Sequence, residues 1–410
     1  MDRLEDSSGG LGNLVAFLKS ELKPRGPIFT VFNVVTVPLL VLGGLVVLYR
    51  LWKGLGAVGG GSQEFPLGIW IGLVVMVGVA FAGGAYVLCF VVYILNAEKY
   101  RPIIRITVLN GFLAYMFYAS AIFLDLGRWW NIFNPIIGNR FGVNSVLFLV
   151  AWHFLLYMLA AFLEFSPAVA EWLGLKRARK ILGTLTIGAV VFGIALSTLH
   201  QSGLGALFMM AKWKIHPLWY SEFIPILFFV SSIYSGLSVT IFLEWITRKV
   251  FKSQITAEYR QAAPGILTGL ARGCAGTIFV YLFLKVLVLL HGQEWGLLAT
   301  PMGWWYLFEV AGLAGVPGLL FLYGARARNL VMIRSAAVLA MLGIILNRLA
   351  YVMIAFKWYV PFEHRHFPSW MEIVVTLTIV TLHIWVFRWI VHRMPILRRP
   401  PAWAAKMESH

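Results

Sequence analysis

The chain is poor in charge and almost without cysteine. Of its 410 residues only 12% are Asp, Glu, Lys or Arg, against 60% hydrophobic, and the mean hydropathy is +0.81. So little charge cannot cover a soluble domain of this length. The two cysteines, Cys89 and Cys274, both lie in apolar stretches, which excludes a CxxC-type metal or iron–sulfur site and a disulfide framework. Low-complexity segments and a separate soluble domain are also missing, so any water-soluble redox machinery is expected on another polypeptide. The opening stretch, MDRLEDSSGGLGNLVAFLKSELKPRG, carries four acidic residues and no early apolar run. A cleaved signal peptide is therefore not expected.

What the chain has instead is repeated apolar runs of about 20 residues, the length that crosses roughly 30 Å of hydrocarbon. Ten spans are expected, at 28–49, 67–95, 103–124, 144–165, 181–200, 223–247, 266–290, 302–323, 331–356 and 370–391. Pro38 interrupts the first, which a membrane helix tolerates. The 34 Lys and Arg test the count: 24 fall in the N-terminal segment, the loops after spans 2, 4, 6 and 8, and the C-terminal tail. The opposite loops hold only eight, Arg50, Lys53, Arg128, Arg140, Lys212, Lys214, Lys357 and Arg365, while Lys285 and Arg348 sit inside spans. This split follows the positive-inside rule for an even number of helices with both termini cytoplasmic. The net charge of +17 is accounted for by topology, and no nucleic-acid partner is expected. The organisation is thus a cytoplasmic segment 1–27, a transmembrane domain 28–392 and a cytoplasmic tail 393–410. The outer loops are long and aromatic, and hold His200, His216, His291, His364 and His366, as a site or a partner surface would.

Ionisable groups inside spans are costly and point to function. Asp125 (with Arg128 three residues on), His153, His200 (with Gln201 and Ser202), Lys285, Glu309 and Arg348 all fall in the outer half. Glu164 and Glu244 lie toward the cytoplasm, where snorkelling to the interface is the plain alternative. Purely structural readings stand beside the functional ones: Lys285 and Arg348 can pair with Glu309 or Asp125, and His153 can be a hydrogen-bonded core histidine. His200 is expected to close span 5 at the level of Asp125. A quinone suits such a set, because it needs an apolar slot, donors for two carbonyl oxygens and a group that exchanges protons. A carboxylate would orient the imidazole. Haem b competes, but it needs histidines facing across a bundle at matching depth. Only His153 and His383 lie within spans, with His200 and His392 at span ends. A secondary transporter is the third reading, set back by the clustering of charge at one level.

The stretch LHQSGLGALFMMAKWKIHPLW carries a resemblance, together with GGSQEFPLGIWIG (60–72), LDLGRWWNI (124–132), RFGVNSVLF (140–148), LEFSPAVAEWLG (163–174) and NRLAY (347–351). In this order, over about residues 60 to 395, they resemble the NrfD/polysulfide-reductase family of integral membrane subunits. The likeness is to its ten-helix branch, which includes HybB-type hydrogenase subunits and the quinone-reductase-complex (QrcD-like) subunit of sulfate reducers. The resemblance implies an all-α membrane fold of two four-helix bundles (spans 2–5 and 6–9) with a flanking helix at each end. It implies a menaquinone-binding anchor without haem, iron–sulfur cluster or other metal, in a bacterial inner membrane. Its expected partner is a periplasmic four-cluster ferredoxin-like subunit serving a hydrogenase, a multihaem cytochrome c or a molybdopterin-type subunit. By position, Asp125 and His200 match polar residues implicated in quinone binding, and Arg128, Asn144, Ser145 and Gln201 the motif around them. The glutamate that some ten-helix members carry in span 4 is Leu149 here, with His153 one turn further as its substitute. The expected site is therefore His200 and Asp125 as proton-exchanging groups. Arg128, Asn144, Ser145, His153, Gln201 and Ser202 would surround the quinone, and Glu164, Glu244, Glu309 and Arg348 would lie on a proton path.

Overall fold

The computed structural model describes residues 11–59, 61, 64–138, 142–365 and 367–408. Arg3, Arg140 and His366 of the charge and histidine inventory lie outside them. Among the described residues ten helices are long and apolar enough to cross a membrane. They are α1 (Val31–Lys53), α2 (Trp70–Ile94), α3 (Glu98–Asp125), α4 (Val146–Leu173), α5 (Lys176–Met209), α6 (Ile224–Val250), α7 (Ala257–Gly292), α8 (Pro301–Arg326), α9 (Leu330–Ile354) and α10 (Trp370–Arg393). No strand forms among the described residues beyond an isolated bridge between Ile215 and Phe356.

The ends of these helices are written locally. Thr30 caps α1 by accepting from the Asn33 N–H at 3.2 Å, and Gly54, at φ 93°, lets the chain leave. Ser369 and Glu372 form a reciprocal capping box at the start of α10. Gly174, at φ 78°, ends α4 in a left-handed conformation that costs a glycine little. Within the spans, π-helical segments occur at Trp70–Val77, Phe90–Ile94, Phe308–Gly315 and Ala350–Ile354.

The helices pack as two rings of four. Helices α2, α3, α4 and α5 close one ring, and α6, α7, α8 and α9 the other. Helix α10 packs on α3, and α1 packs mainly on α10. The rings meet along α2 and α6, where Gly83 and Gly84 face Gly236. A Cβ placed on Gly236 would sit 1.9 Å from the Gly84 nitrogen, and one on Gly84 would sit 2.5 Å from the Gly236 carbonyl oxygen. Small residues allow this approach, and in hydrocarbon close packing replaces the hydrophobic drive that joins helices in water.

Two span-end expectations are corrected. Span 5 does not end at His200: α5 continues to Met209, nine residues or about 14 Å farther. The polar trio does not break the helix because each of its residues makes a hydrogen bond within the bundle. Gln201 Nε2 donates to the Val79 carbonyl at 2.8 Å, and the Ser202 hydroxyl donates back to the Thr198 carbonyl at 2.9 Å. Arg50 is not a loop charge. It belongs to the last turn of α1, is 1% exposed, and donates to the carbonyls of Leu124 (2.8 Å) and Leu126. It thereby caps the C-terminal end of α3.

The glycine seam yields a test. Gly236→Val should lower stability by about 3 kcal/mol, read as a fall in thermal midpoint in detergent. Gly276→Val should change it little, since a Cβ there meets nothing within 4 Å.

Candidate functional site

His200 faces the interior of the first ring and is 1% exposed. Its Nδ1 lies 3.1 Å from the Val150 carbonyl oxygen on α4. A carbonyl can only accept, so Nδ1 carries the proton and Nε2 a lone pair. That Nε2 is buried and has no hydrogen-bond partner among the described residues. Around it stand Tyr115 from α3 (ring centroids 5.8 Å) and Phe154 from α4 (5.5 Å), with Tyr157 4.3 Å from Tyr115. Ser197 lies one turn before His200 on α5 and is fully buried. The hydroxyls of Tyr115 and Ser197 adjoin, neither of them in hydrogen-bonding geometry. His153, half-buried on α4 one turn after Val150, also has a buried, unpartnered Nδ1. Buried polar groups ordinarily find partners. Here four of them, from three helices, converge without any.

Tyr115 and Ser197 were not singled out by the sequence, since neither carries charge and both sit in apolar runs. The available signal was spacing. Ser197 is three residues before His200, hence on the same helical face. On α4, His153, Tyr157 and Glu164 recur at helical spacing on one face, and Glu164 accepts from the Cys89 thiol at 3.5 Å. A column of polar and aromatic groups thus runs from Glu164 past Tyr157 and Tyr115 to His200.

Asp125 is elsewhere. It ends α3 ten residues beyond Tyr115, about 15 Å along the axis, and lines a cavity of about 160 Å³ with Gly59, Gly61, Pro66, Gly68 and Glu372. The charges acting on it are those of Glu372 and Arg50. The expectation that Asp125 stands level with His200 and orients it is corrected: His200 takes its orientation from a backbone carbonyl. Arg128, Asn144 and Ser145 are exposed at that same end, Ser145 as the N-cap of α4. Gln201 turns away from His200 toward α2, and Ser202 is used up by its own helix.

The remaining acidic candidates fall into two further places. Glu244 is buried near the opposite end, paired with Arg248 at 3.1 Å and Arg334 at 3.5 Å. Glu309 lies in the core of the second ring on a π-turn of α8. It accepts from Asn347 Nδ2 at 2.6 Å and from Trp219 Nε1 at 3.0 Å. Arg348 donates to Asn347 Oδ1 at 2.6 Å and to the Ser231 hydroxyl at 2.8 Å, with its guanidinium 3.7 Å over the Phe228 ring. Lys285, also buried, acts on Glu309 from 5.0 Å above the Tyr306 ring. A cavity of about 10 Å³ beside Glu309 and Asn347 has room for about one water. The HPLW stretch contributes directly to this cluster, and His216 is not at the surface as its loop position suggests. It is 3% exposed, packed against Trp219 and Trp358, and burial pushes its pKa down to about 4. Among the described residues no three His, Cys, Asp or Glu side chains group as metal ligands.

Comparison with known proteins agrees with this architecture. Residues 59–361 match the family model described as polysulphide reductase, NrfD. The chain belongs to the NrfD family. A protein of Nitratidesulfovibrio vulgaris, described only as a protein, is 38% identical over 90% of this chain and 95% of its own length. The probable Ni/Fe-hydrogenase 2 b-type cytochrome subunit of Escherichia coli K12 is 30% identical over 89% and 91%. The menaquinone reductase integral membrane subunit of N. vulgaris is 27% identical over 82% and 84%. The chain is therefore a multi-pass membrane subunit of a family whose members serve reductase complexes.

The second-ring cluster makes a prediction. Glu309→Leu leaves Lys285 and Arg348 buried with their acidic neighbour gone, a loss of about 3–5 kcal/mol. It should appear as a lower thermal midpoint or failed accumulation in the membrane, whereas Glu222→Leu, at an exposed loop position, should be neutral by the same measure.

Proposed function

We propose that this chain is the quinone-reacting membrane subunit of a multisubunit respiratory oxidoreductase, with the head group of menaquinone or menaquinol held at His200. The observation that carries the reading is the unpartnered set in the first ring: a lone pair on His200 Nε2, and the hydroxyls of Tyr115 and Ser197 beside it. A quinol brings two O–H donors and a quinone two carbonyl acceptors, so one ligand completes both kinds of vacancy. The description of one relative as a menaquinone reductase subunit supports the choice of ligand.

In this reading the His200 tautomer sets the direction of proton flow. With Nδ1–H held on Val150, Nε2 is ready to take a proton from a quinol hydroxyl as two electrons leave. For quinone reduction the ring is protonated first and then donates. Tyr115 and Ser197 hold the second oxygen. Half-buried His153 stands between this core and the outside of α4, on the side from which an isoprenoid tail would enter. Glu164 and the Tyr157–Tyr115 column supply or drain protons from the opposite end. Electrons pass to or from a periplasmic four-cluster ferredoxin-like subunit docked on the loops at the Asp125 end. That subunit links to a hydrogenase, a multihaem cytochrome c or a molybdopterin-type subunit. The membrane is the bacterial inner membrane, both termini are cytoplasmic, and proton uptake from the cytoplasm makes turnover electrogenic. Glu309, Arg348 and Glu244 serve structure in this scheme, each being engaged in bonds of its own.

A haem b subunit is the second reading. It draws on the description of the E. coli relative and on the same free Nε2, which could face an iron. A pyridine haemochrome spectrum of the purified complex separates the two, a haem stoichiometric with this chain favouring the second.

For the quinone reading, His200→Ala should cut menaquinol-dependent turnover of the assembled complex at least about 100-fold. Tyr115→Phe should cut it about tenfold, the worth of one hydrogen bond. Full turnover in an assembled His200→Ala complex would exclude His200 as the proton-exchanging group.

A further inference from the structure

At the end of the molecule opposite Asp125, the start of α1 and the end of α10 build a cationic cluster that the quinone reading does not use. Arg25 Nη1 donates to the His392 carbonyl at 3.1 Å, and its Nη2 pairs with Glu21 at 2.5 Å. Arg393 reaches the same Glu21 at 3.4 Å and donates to the Lys23 carbonyl at 2.8 Å. One carboxylate therefore serves two guanidinium groups. Arg388 lies one helical turn before His392 on the same face of α10, and Arg398 also acts electrostatically on the His392 ring. Neither Arg388 nor Arg398 has an ion-pair partner among the described residues. His392 itself is fixed by Gln254 at 2.8 Å and by the Phe251 ring at 5.1 Å.

An apolar wall adjoins the cluster. The Arg388 guanidinium lies 4.4 Å over the Phe32 ring of α1, and Phe32 packs 6.0 Å from Trp385. Phe29 and Val31 beside it are 91% and 84% exposed. Excess positive charge at the end of a membrane helix, continuous with an open hydrophobic surface, complements an anion that carries its own hydrocarbon. We propose that Arg25, Arg388 and Arg398 bind the phosphate of an anionic phospholipid, whose acyl chains lie along Phe29, Phe32 and the lipid face of α1. A soluble phosphate would gain from the guanidiniums but not from this wall. Helix α1 has few protein neighbours besides α10, so a bound lipid would bridge the two and secure α1 to the rest of the molecule. The proposal does not depend on the quinone reading.

The test uses the full-length chain purified in detergent and incubated with phosphatidylglycerol or phosphatidylethanolamine of matched acyl chains, with bound lipid measured by native mass spectrometry. The wild type should retain phosphatidylglycerol in preference. Arg388→Gln with Arg398→Gln should weaken that retention about 25-fold, at about fivefold for each arginine near the surface. Arg398→Gln alone, at an exposed position, should still weaken it about fivefold. Phosphatidylethanolamine, whose ammonium offsets the charge of its phosphate, should bind more weakly at the start and lose less than phosphatidylglycerol does. Equal retention of the two lipids, an undiminished signal in the double variant, or the same loss in Lys180→Gln would overturn the proposal. Displacement by inorganic phosphate at matched concentration would overturn it in favour of a free anion site. Binding that emerges only after removal of residues 1–10 would do so in favour of the chain's own Asp2, Glu5 and Asp6.

Discussion

Hydrocarbon offers a polar group no water, so each one inside this protein either finds a partner in a neighbouring helix or stays unpaired at a cost of several kcal/mol. Most of the structure can be understood from how that demand is met. Arg50 meets it at the carbonyl end of α3, Gln201 on α2, and Glu309 between Trp219 and Asn347. These bonds hold helices from different parts of the chain in register where close packing alone would allow them to slide. Unpaired atoms remain elsewhere, Ser235 and Tyr306 in the second ring among them, but around His200 four of them, on three helices, stand together. A protein does not normally carry such a debt in its core, and a ligand with both donors and acceptors would settle it.

Much of the fold was legible in the sequence because a membrane span is long and uniformly apolar. All ten spans follow from that, and most ends fall within a few residues. Ends were misjudged where polar residues were taken as a way out of the membrane. His200, Gln201 and Ser202 stopped the expected span 5, while the real helix passes through them because α2, α4 and its own backbone accept their hydrogen bonds. The long α7, beginning at Ala257 against the expected 266, likewise takes in residues read as loop: Thr256 caps it, and Glu258 and Arg260 belong to the helix. Whether a polar residue marks an interface or an internal bond depends on what the neighbouring helix presents, and a single apolar run holds no record of that.

The candidate site was legible in its titratable residues, His200, His153 and Glu164. His200 stood out by charge and company, and Glu164 by depth. The pairing with Asp125 came from counting depth along two helices as though both ended at one level. Once α5 extends past His200, that level shifts by more than two turns, and Asp125 falls into a separate cavity with Glu372. Tyr115 and Ser197 escaped because their hydroxyls are ordinary in apolar helices and become telling only when found close together and unbonded. Trp219 and His216 moved the other way, from an aromatic loop on paper to the lining of the second ring.

The contact between Gly83, Gly84 and Gly236 constrains how the molecule can work. Carriers that alternate their openings do so by swinging one half against the other, which needs an interface able to slide. Here the rings touch main chain to main chain at these glycines, and side chains interlock beside them, Tyr86 on Ser232 and Phe208 on Phe228 and Tyr351. A seam this close favours a frame that keeps its shape over two halves that swing apart.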